Sequence, residues 1–167
     1  NYPSIDLLRD VPSDDSFQIN QDELWTKAKI LEEKLQDYKV EAKVQNVIAG
    51  PVITMFELKP AIGVRLSKIE NLMGEIALNM RARGIRYLGQ LPSKDTIGIE
   101  IPNDHPKIVY FKEIINSEKF ANSQYELPIA LGKAVNGEII VRDLAEMPHL
   151  LVAGATGSGK SVGLNAI

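Results

Sequence analysis

A run of eight residues near the end of the sequence constrains the fold more than any other stretch. The run reads Gly154, Ala155, Thr156, Gly157, Ser158, Gly159, Lys160 and Ser161, and it fits the pattern G-x-x-x-x-G-K-[ST] without a mismatch. At average residue usage, the fixed positions of this pattern coincide by chance in roughly one chain in two hundred of this length. The apolar run 150–153 predicts a buried parallel strand before the pattern, and residues 161–167 predict a helix after it. The order of strand, glycine loop and helix is typical of a phosphate-binding loop.

Each residue type in the pattern has a chemical reason. Glycines let backbone N–H groups turn toward phosphate oxygens, and a helix amino terminus adds partial positive charge. Lys160 is predicted to reach the β- and γ-phosphates of ATP, and the Ser161 hydroxyl is predicted to ligate Mg²⁺. The alternative is a glycine-rich turn with a solvated lysine. We expect the metal-binding aspartate and the other catalytic groups to lie past Ile167, so that this chain is a fragment without a complete catalytic site.

Composition excludes several classes of site. The formal net charge is -3, so the chain is not a wholly basic nucleic-acid wrapper, although a local basic face stays open. Cysteine is absent and there are two histidines, which excludes disulfides and thiolate metal sites and disfavours a histidine-rich metal site. No apolar stretch has the length of a membrane span and no signal peptide is visible, so we expect these residues to be soluble and intracellular.

Hydrophobic periodicity predicts an α+β domain over residues 20–118, after an extended arm at 1–19. Its predicted elements are a helix at 21–38 that begins at Asn20, a hairpin of strands 42–48 and 52–58, a helix at 68–83 with a capping box from Ser67 and an end at Gly84, a hairpin of strands 85–91 and 96–101, and a short connecting helix at 109–117. The fold class of the chain is therefore mixed, with this α+β domain followed by an α/β domain that carries the glycine loop.

A second pattern begins after a linker at 119–126. Two apolar runs flank the pair Asn136 and Gly137, which is a strong hairpin signal. We expect this hairpin to form the antiparallel edge of a second domain over residues 127–167, which leads into the loop-bearing strand.

The chain resembles the FtsK/SpoIIIE family of DNA translocases along its whole length. The matching residues read YPSIDLL at 2–8, GPVITMFEL at 50–58, GIEIPN at 98–103, LGK at 131–133 and DLAEMPHLLVAG at 143–154, running into TGSGKSV at 156–162. The Met-Pro-His segment directly before the glycine loop is the most specific of them. The sequence QLPSK at 90–94 departs from the family's usual turn, which commonly has Pro-Gly-Lys.

The resemblance implies a hexameric ring motor that hydrolyses ATP with Mg²⁺ and drives double-stranded DNA through its channel in chromosome segregation or cell division. Residues 20–118 resemble the family's α domain, and 127–167 resemble the start of its RecA-like β domain. The resemblance also implies the cytoplasmic part of a bacterial protein anchored in the inner membrane, with no small-molecule substrate besides ATP. Two alternatives stay open: a related ring ATPase that exports protein or conjugative DNA, and a non-enzymatic module for ring assembly and coupling.

One basic concentration in the first domain is a candidate for contact with DNA. It contains Arg81, Arg83 and Arg86, with Lys59, Arg65 and Lys68 upstream, and a phosphate-contacting face needs such a cluster. Basic residues after a helix also stabilise its dipole and keep a surface solvated, which is the favoured interpretation. His149 is expected to be a packed, hydrogen-bonded residue at a strand entry, and Trp25 is expected in the core or an interface.

Overall fold

The computed structural model describes residues 3–12 and 21–167. The described residues divide into two compact units. The amino-terminal unit contains residues 21–108 together with Val135–Gly137. The loop-bearing unit contains residues 3–12, 109–134 and 138–167. The domain limits inferred from the sequence remain a prediction.

The amino-terminal unit follows the predicted order of helix, hairpin, helix and hairpin, except that two short helices take the place of the second helix. Its elements are α1 (Gln21–Asp37), β1 (Ala42–Ala49), β2 (Ile53–Pro60), α2 (Leu66–Asn71), α3 (Met73–Asn79), β3 (Arg86–Gln90) and β4 (Ile97–Pro102). Both predicted hairpins and the first helix are confirmed, while Asn20 lies outside the described residues. The mixed fold class is therefore confirmed.

The four strands of this unit form one antiparallel sheet in the order β1-β2-β4-β3. Phe56 on β2 lies opposite Ile99 on β4, and Leu58 lies opposite Ile97. These side chains share one face, where they pack with buried residues of the helices, such as Leu31. The core therefore lies between the helices and one face of the sheet.

The predicted single helix at 68–83 is wrong in its bounds. The structure divides it at Leu72, whose N–H donates to the Ile69 carbonyl at 3.1 Å in a 3-10-type bond. The low helix propensity of Asn71 and Gly74 on either side favours this break. The predicted core face survives it, because Ile69, Met73 and Ile76 are all buried.

The predicted ends of that helix are also wrong. Helix α2 begins after Arg65, with no side-chain cap, so Ser67 lies inside the helix and forms no capping box. Helix α3 ends at Asn79, and Arg81 takes the left-handed conformation (φ 53°) that Gly84 was expected to supply. The N–H groups of Arg81 and Ala82 donate to the Leu78 and Ala77 carbonyls, which closes the helix before Gly84 is reached.

The loop-bearing unit is smaller and more open. Its elements are a 3-10 turn (Ile5–Leu7), α4 (Phe111–Ile115), α5 (Glu118–Ala121), β5 (Pro128–Lys133), β6 (Ile139–Asp143) and α6 (Lys160–Ala166). Strands β5 and β6 pair antiparallel, which confirms the hairpin predicted around Asn136 and Gly137, and Gly137 has φ 82° in its turn. Helix α4 is shorter than the predicted connecting helix, and α5 occupies part of the predicted linker.

One side chain of the amino-terminal arm, which the structure describes over residues 3–12, contacts α4. Asp10 accepts a hydrogen bond from the Lys112 ammonium at 2.6 Å, and the Lys112 side chain is 14% exposed. Residues 1–2 and 13–19 of the predicted arm lie outside the described residues. Within the described part of the chain, no helix is long and apolar enough to span a membrane.

Candidate phosphate-binding loop

The segment that leads into the glycine loop is not the predicted strand. Residues 150–153 have no strand hydrogen bonding, and Leu150 and Leu151 are 47% and 90% exposed. A parallel strand needs a neighbouring strand to satisfy its backbone groups, and none of the described strands pairs with this segment. The apolar composition of residues 150–153 therefore favours a strand, but the described residues provide no neighbouring strand for it to pair with.

The glycine loop itself turns through two left-handed residues. Gly157 has φ 83° and Gly159 has φ 87°, a region that side-chain-bearing residues rarely adopt. Between them, the Ser158 N–H donates to the Ala155 carbonyl at 3.1 Å. A Cβ atom on Gly154 would lie 2.4 Å from the Ser158 Oγ, a contact that rotation of the serine side chain can relieve. Two glycines of the loop, Gly157 and Gly159, thus have a conformational reason.

Helix α6 begins at Lys160, directly after the left-handed Gly159. Gly163 N–H donates to the Gly159 carbonyl at 2.8 Å, so the first helical turn closes on the loop. An open groove of about 460 Å³ lies beside the loop. It is lined by Ala155, Thr156, Gly157, Gly159, Lys160, Ser161 and Val162. The predicted lysine and serine therefore border the same groove as the glycine backbone.

These residues fit a phosphate group. In the described contacts the amides of Gly157 and Gly159 have no protein acceptor, and the first amides of α6 have none inside the helix. Amides of this kind at a helix start, next to a lysine, form an anion-binding concavity. The described residues contain no group of three or more histidine, aspartate or glutamate side chains that could hold a metal ion.

Asp143, at the end of β6, anchors the lead-in segment. Its carboxylate accepts hydrogen bonds from the backbone N–H groups of Glu126 (2.9 Å), Leu127 (3.1 Å) and Ala145 (2.9 Å). The residue is 8% exposed. It thereby joins the segment before β5 to the turn after β6, where the chain leaves toward the loop.

The environment of Asp143 sets its protonation. Burial by itself would raise the pKa of this carboxyl, but the hydrogen bonds from Glu126, Leu127 and Ala145 outweigh it and hold the pKa below its ordinary value. Sequence reasoning did not single out this residue. An aspartate two positions before Ala145 is an Asx-turn signal, which could have indicated that one bond but not the two from residues 126 and 127.

The other residues singled out in the sequence lie at exposed positions. Arg81 and Arg83 are exposed after α3, and Arg86 on β3 lies 3.5 Å from the Glu100 carboxylate on β4. His149 is exposed and makes none of the described hydrogen bonds, so the expectation of a packed histidine is wrong. Trp25 is 43% exposed on α1 and is not part of the core.

Comparison with known proteins decides the family. The FtsK alpha domain matches residues 2–103, more than half of the chain, and the FtsK/SpoIIIE family matches residues 110–167. The chain belongs to the FtsK/SpoIIIE family. Its members include the DNA translocase FtsK of Clostridium tetani, which is 47% identical over 166 residues, and that of Caldanaerobacter subterraneus, also 47% identical over 166 residues. The DNA translocase FtsK of Campylobacter jejuni is 42% identical over 165 residues.

Each match covers 99% of this chain but only a part of the relative. The chain spans 22%, 23% and 17% of the lengths of these three translocases, respectively. Among solved structures, the pCW3 conjugation coupling protein TcpA, in a monomer form with ATPγS, is 17% identical and aligns with a TM-score of 0.39 over 84% of this chain and 40% of its own.

Proposed function

We propose that residues 154–161 bind the phosphates of ATP and that the chain is part of an ATP-driven motor that translocates double-stranded DNA. The observation that carries the proposal is the glycine loop, which has left-handed Gly157 and Gly159 and a helix that starts at Lys160. It occurs in a chain of the FtsK/SpoIIIE family whose relatives are named DNA translocases.

The loop residues have distinct roles in this proposal. The amides of Gly157 and Gly159 donate to phosphate oxygens, the Lys160 ammonium neutralises their charge, and the Ser161 hydroxyl ligates Mg²⁺. Bound MgATP supplies the phosphoanhydride bond whose cleavage releases the free energy for movement. The protein contributes binding and orientation through a backbone that is already turned toward the anion.

Three wider properties are proposed with it. A hexameric ring, double-stranded DNA as the substrate, and a cytoplasmic location in a membrane-anchored bacterial protein all rest on the family resemblance. They concern a longer protein, because the chain spans about a fifth of the length of the translocases it matches.

The test of nucleotide binding uses this 167-residue chain and a fluorescent ATP analogue in the presence of Mg²⁺. We expect Lys160→Ala to weaken binding about tenfold or more, since a hydrogen bond to a charged group is removed. Lys119→Ala is the matched control, because Lys119 is an exposed lysine on α5 of the same unit. Equal affinities for the Lys160 and Lys119 variants would contradict the proposed site.

The test of the motor uses a longer protein that contains this chain. We expect double-stranded DNA to stimulate its ATP hydrolysis, and the lack of stimulation would contradict DNA as the substrate. For the 167-residue chain alone, we expect no more phosphate release than from its Lys160→Ala variant. Release well above that background would show that these residues already contain a working catalytic site.

A further inference from the structure

Helix α1 ends in a hydrogen-bonding pattern that ordinarily carries glycine. The Val40 N–H donates to the Leu35 carbonyl at 3.0 Å, and the Lys39 N–H donates to the Gln36 carbonyl at 2.8 Å. This pair of bonds is a Schellman motif, in which the residue after the last helical position is left-handed. Lys39 is that residue, with φ 57°.

Helix α3 ends in the same way. The Ala82 N–H donates to the Ala77 carbonyl at 2.9 Å, and the Arg81 N–H donates to the Leu78 carbonyl at 3.1 Å. Arg81 therefore holds the left-handed position that Lys39 holds in α1, with φ 53°. Two helices of one unit thus place a cation where the backbone favours glycine.

Stabilisation of the helix dipole does not account for the left-handed backbone at these positions. A cation interacts favourably with a helix carboxyl end from any position in the last turn and needs no left-handed backbone. Lys34 already occupies the last turn of α1, whereas the last turn of α3 contains no basic residue. Departures from local preference of this kind are expected at functional positions.

The two helix ends meet at one surface. The Asn79 amide donates to the Tyr38 hydroxyl at 3.2 Å, which joins the last residue of α3 to the residue before Lys39. The Lys68 ammonium on α2 donates to the Lys39 carbonyl at 3.2 Å. Arg81 follows Asn79 by two residues, and Arg83 follows Arg81 by two. We name Lys39, Lys68, Arg81 and Arg83 the helix-end patch.

The cations of the helix-end patch have no acidic partner. All four are exposed, and none forms an ion pair with a described carboxylate. Most of the other cations of the amino-terminal unit form an ion pair. These pairs are Lys27–Asp104, Lys34–Asp37, Lys43–Glu32, Lys59–Asp95, Arg86–Glu100 and Lys94–Glu57. Positive charge is therefore concentrated at this patch on a chain whose formal net charge is -3.

We propose that the helix-end patch contacts the phosphate backbone of double-stranded DNA. Unpaired, exposed cations from three separate segments can follow a line of phosphates, and each contact releases counterions from the duplex. The patch keeps Lys68, Arg81 and Arg83 from the basic concentration in the sequence and adds Lys39. It leaves out Lys59 and Arg86, which are paired with Asp95 and Glu100. This inference rests on the proposed function, in which DNA is the substrate.

The test removes charge without weakening the fold. In the double variant Lys39→Gly and Arg81→Gly, both left-handed positions receive the residue that their backbone favours, so folding is retained. Lys29→Ala with Lys119→Ala is the matched control, since it removes the same charge from exposed lysines outside the patch that form no ion pair with a described carboxylate. Binding of the 167-residue chain to a fluorescein-labelled duplex of about 30 base pairs is followed by anisotropy at several KCl concentrations.

The logarithm of the association constant falls linearly with the logarithm of the salt concentration, and we expect the double glycine variant to make this slope less steep by about 1.8. This is about 0.9 for each phosphate that the variant no longer neutralises. At 0.1 M salt this corresponds to affinity that is weaker by about eightfold for each such phosphate. The control should keep the wild-type slope.

Three results would overturn the proposal: no binding of the duplex by the wild-type chain, an equal loss of affinity in the control, or tighter binding of a labelled polyglutamate peptide, which would indicate an acidic protein as the partner. Nucleotide binding through Lys160 is measured on the same samples. A failure of the helix-end patch is thereby separated from a failure of the proposed nucleotide site.

Discussion

A methyl group at Gly50 should destabilise the amino-terminal unit strongly. Gly50 is buried, and a Cβ atom there would lie 2.3 Å from the Val135 carbonyl oxygen and 2.9 Å from the Ile53 carbonyl oxygen. Both obstacles are backbone atoms of the same unit, so no side-chain rotation removes the overlap. Gly50→Ala therefore forces the backbone to move by more than half an ångström, since contacts below about 3 Å are essentially never adopted.

The expected loss of stability follows from the surroundings of Gly50. Overpacking of a closely packed site costs about 1–3 kcal/mol. The Gly50 N–H donates to Ile53 at 2.9 Å and its carbonyl accepts from the Asn103 side chain at 2.8 Å, and weakening one such bond adds about 1 kcal/mol. We expect Gly50→Ala to lower the free energy of unfolding by about 2–4 kcal/mol.

Urea unfolding measures this loss of stability. Trp25 is the single tryptophan and belongs to the amino-terminal unit, so its fluorescence reports on that unit, with far-ultraviolet circular dichroism as a second probe. With a slope of about 2 kcal/mol per molar urea, the midpoint should fall by about 1–2 M. The matched control is Gly74→Ala in α3, where a Cβ atom meets nothing within 4 Å and φ is not positive. It should raise stability by about 0.5–1 kcal/mol.

The reasoning is refuted if Gly50→Ala unfolds at the wild-type midpoint, or if it shifts in the same direction as Gly74→Ala. Either result would mean that the Val135 carbonyl yields at little cost, and that the close approach of these two backbone segments is not a constraint on residue 50.

Thr96→Val should raise the free energy of unfolding by about 1 kcal/mol, because the buried Thr96 Oγ1 has no hydrogen-bond partner among the described residues. Thr54→Val should lower it by a similar amount, since the Thr54 hydroxyl donates to Asn103 at 2.7 Å; a loss of stability in both variants would contradict the assignment. Asp143→Asn should destabilise the loop-bearing unit at pH 7 but much less at low pH. Because the pKa of folded Asp143 is lowered, its carboxylate stabilises the fold above about pH 4, and this contribution disappears as the pH falls through the lowered pKa. Chemical unfolding at pH 7 and pH 3 measures it, and a gap between wild type and variant that does not narrow in acid would exclude the ionised carboxylate as the cause.

Much of the candidate site could be predicted because its signals are local. The glycine loop is recognised from residues 154–161 alone, and left-handed Gly157 and Gly159 follow from the need to turn the backbone in so few residues. The apolar run 150–153 also has the composition of a strand, yet it forms none, because a strand needs partners that its own residues do not specify. Asp143 was missed for the same reason, since two of its three donors lie 16 and 17 residues away.

The sequence by itself determined the helix α1, the three hairpins, the core face of α2 and α3, and the family, because each depends on residues within a turn or two of one another or on a contiguous motif. Only the tertiary structure decided that β2 pairs with β4 and that the second helix breaks at Leu72. It also decided that the backbone is left-handed at Lys39 and Arg81, where α1 and α3 end. These outcomes depend on packing between segments distant in sequence. The helix-end patch depends on the same packing, because Lys39 and Arg81 are separated by a hairpin and two helices and come together only when α1 and α3 share one core.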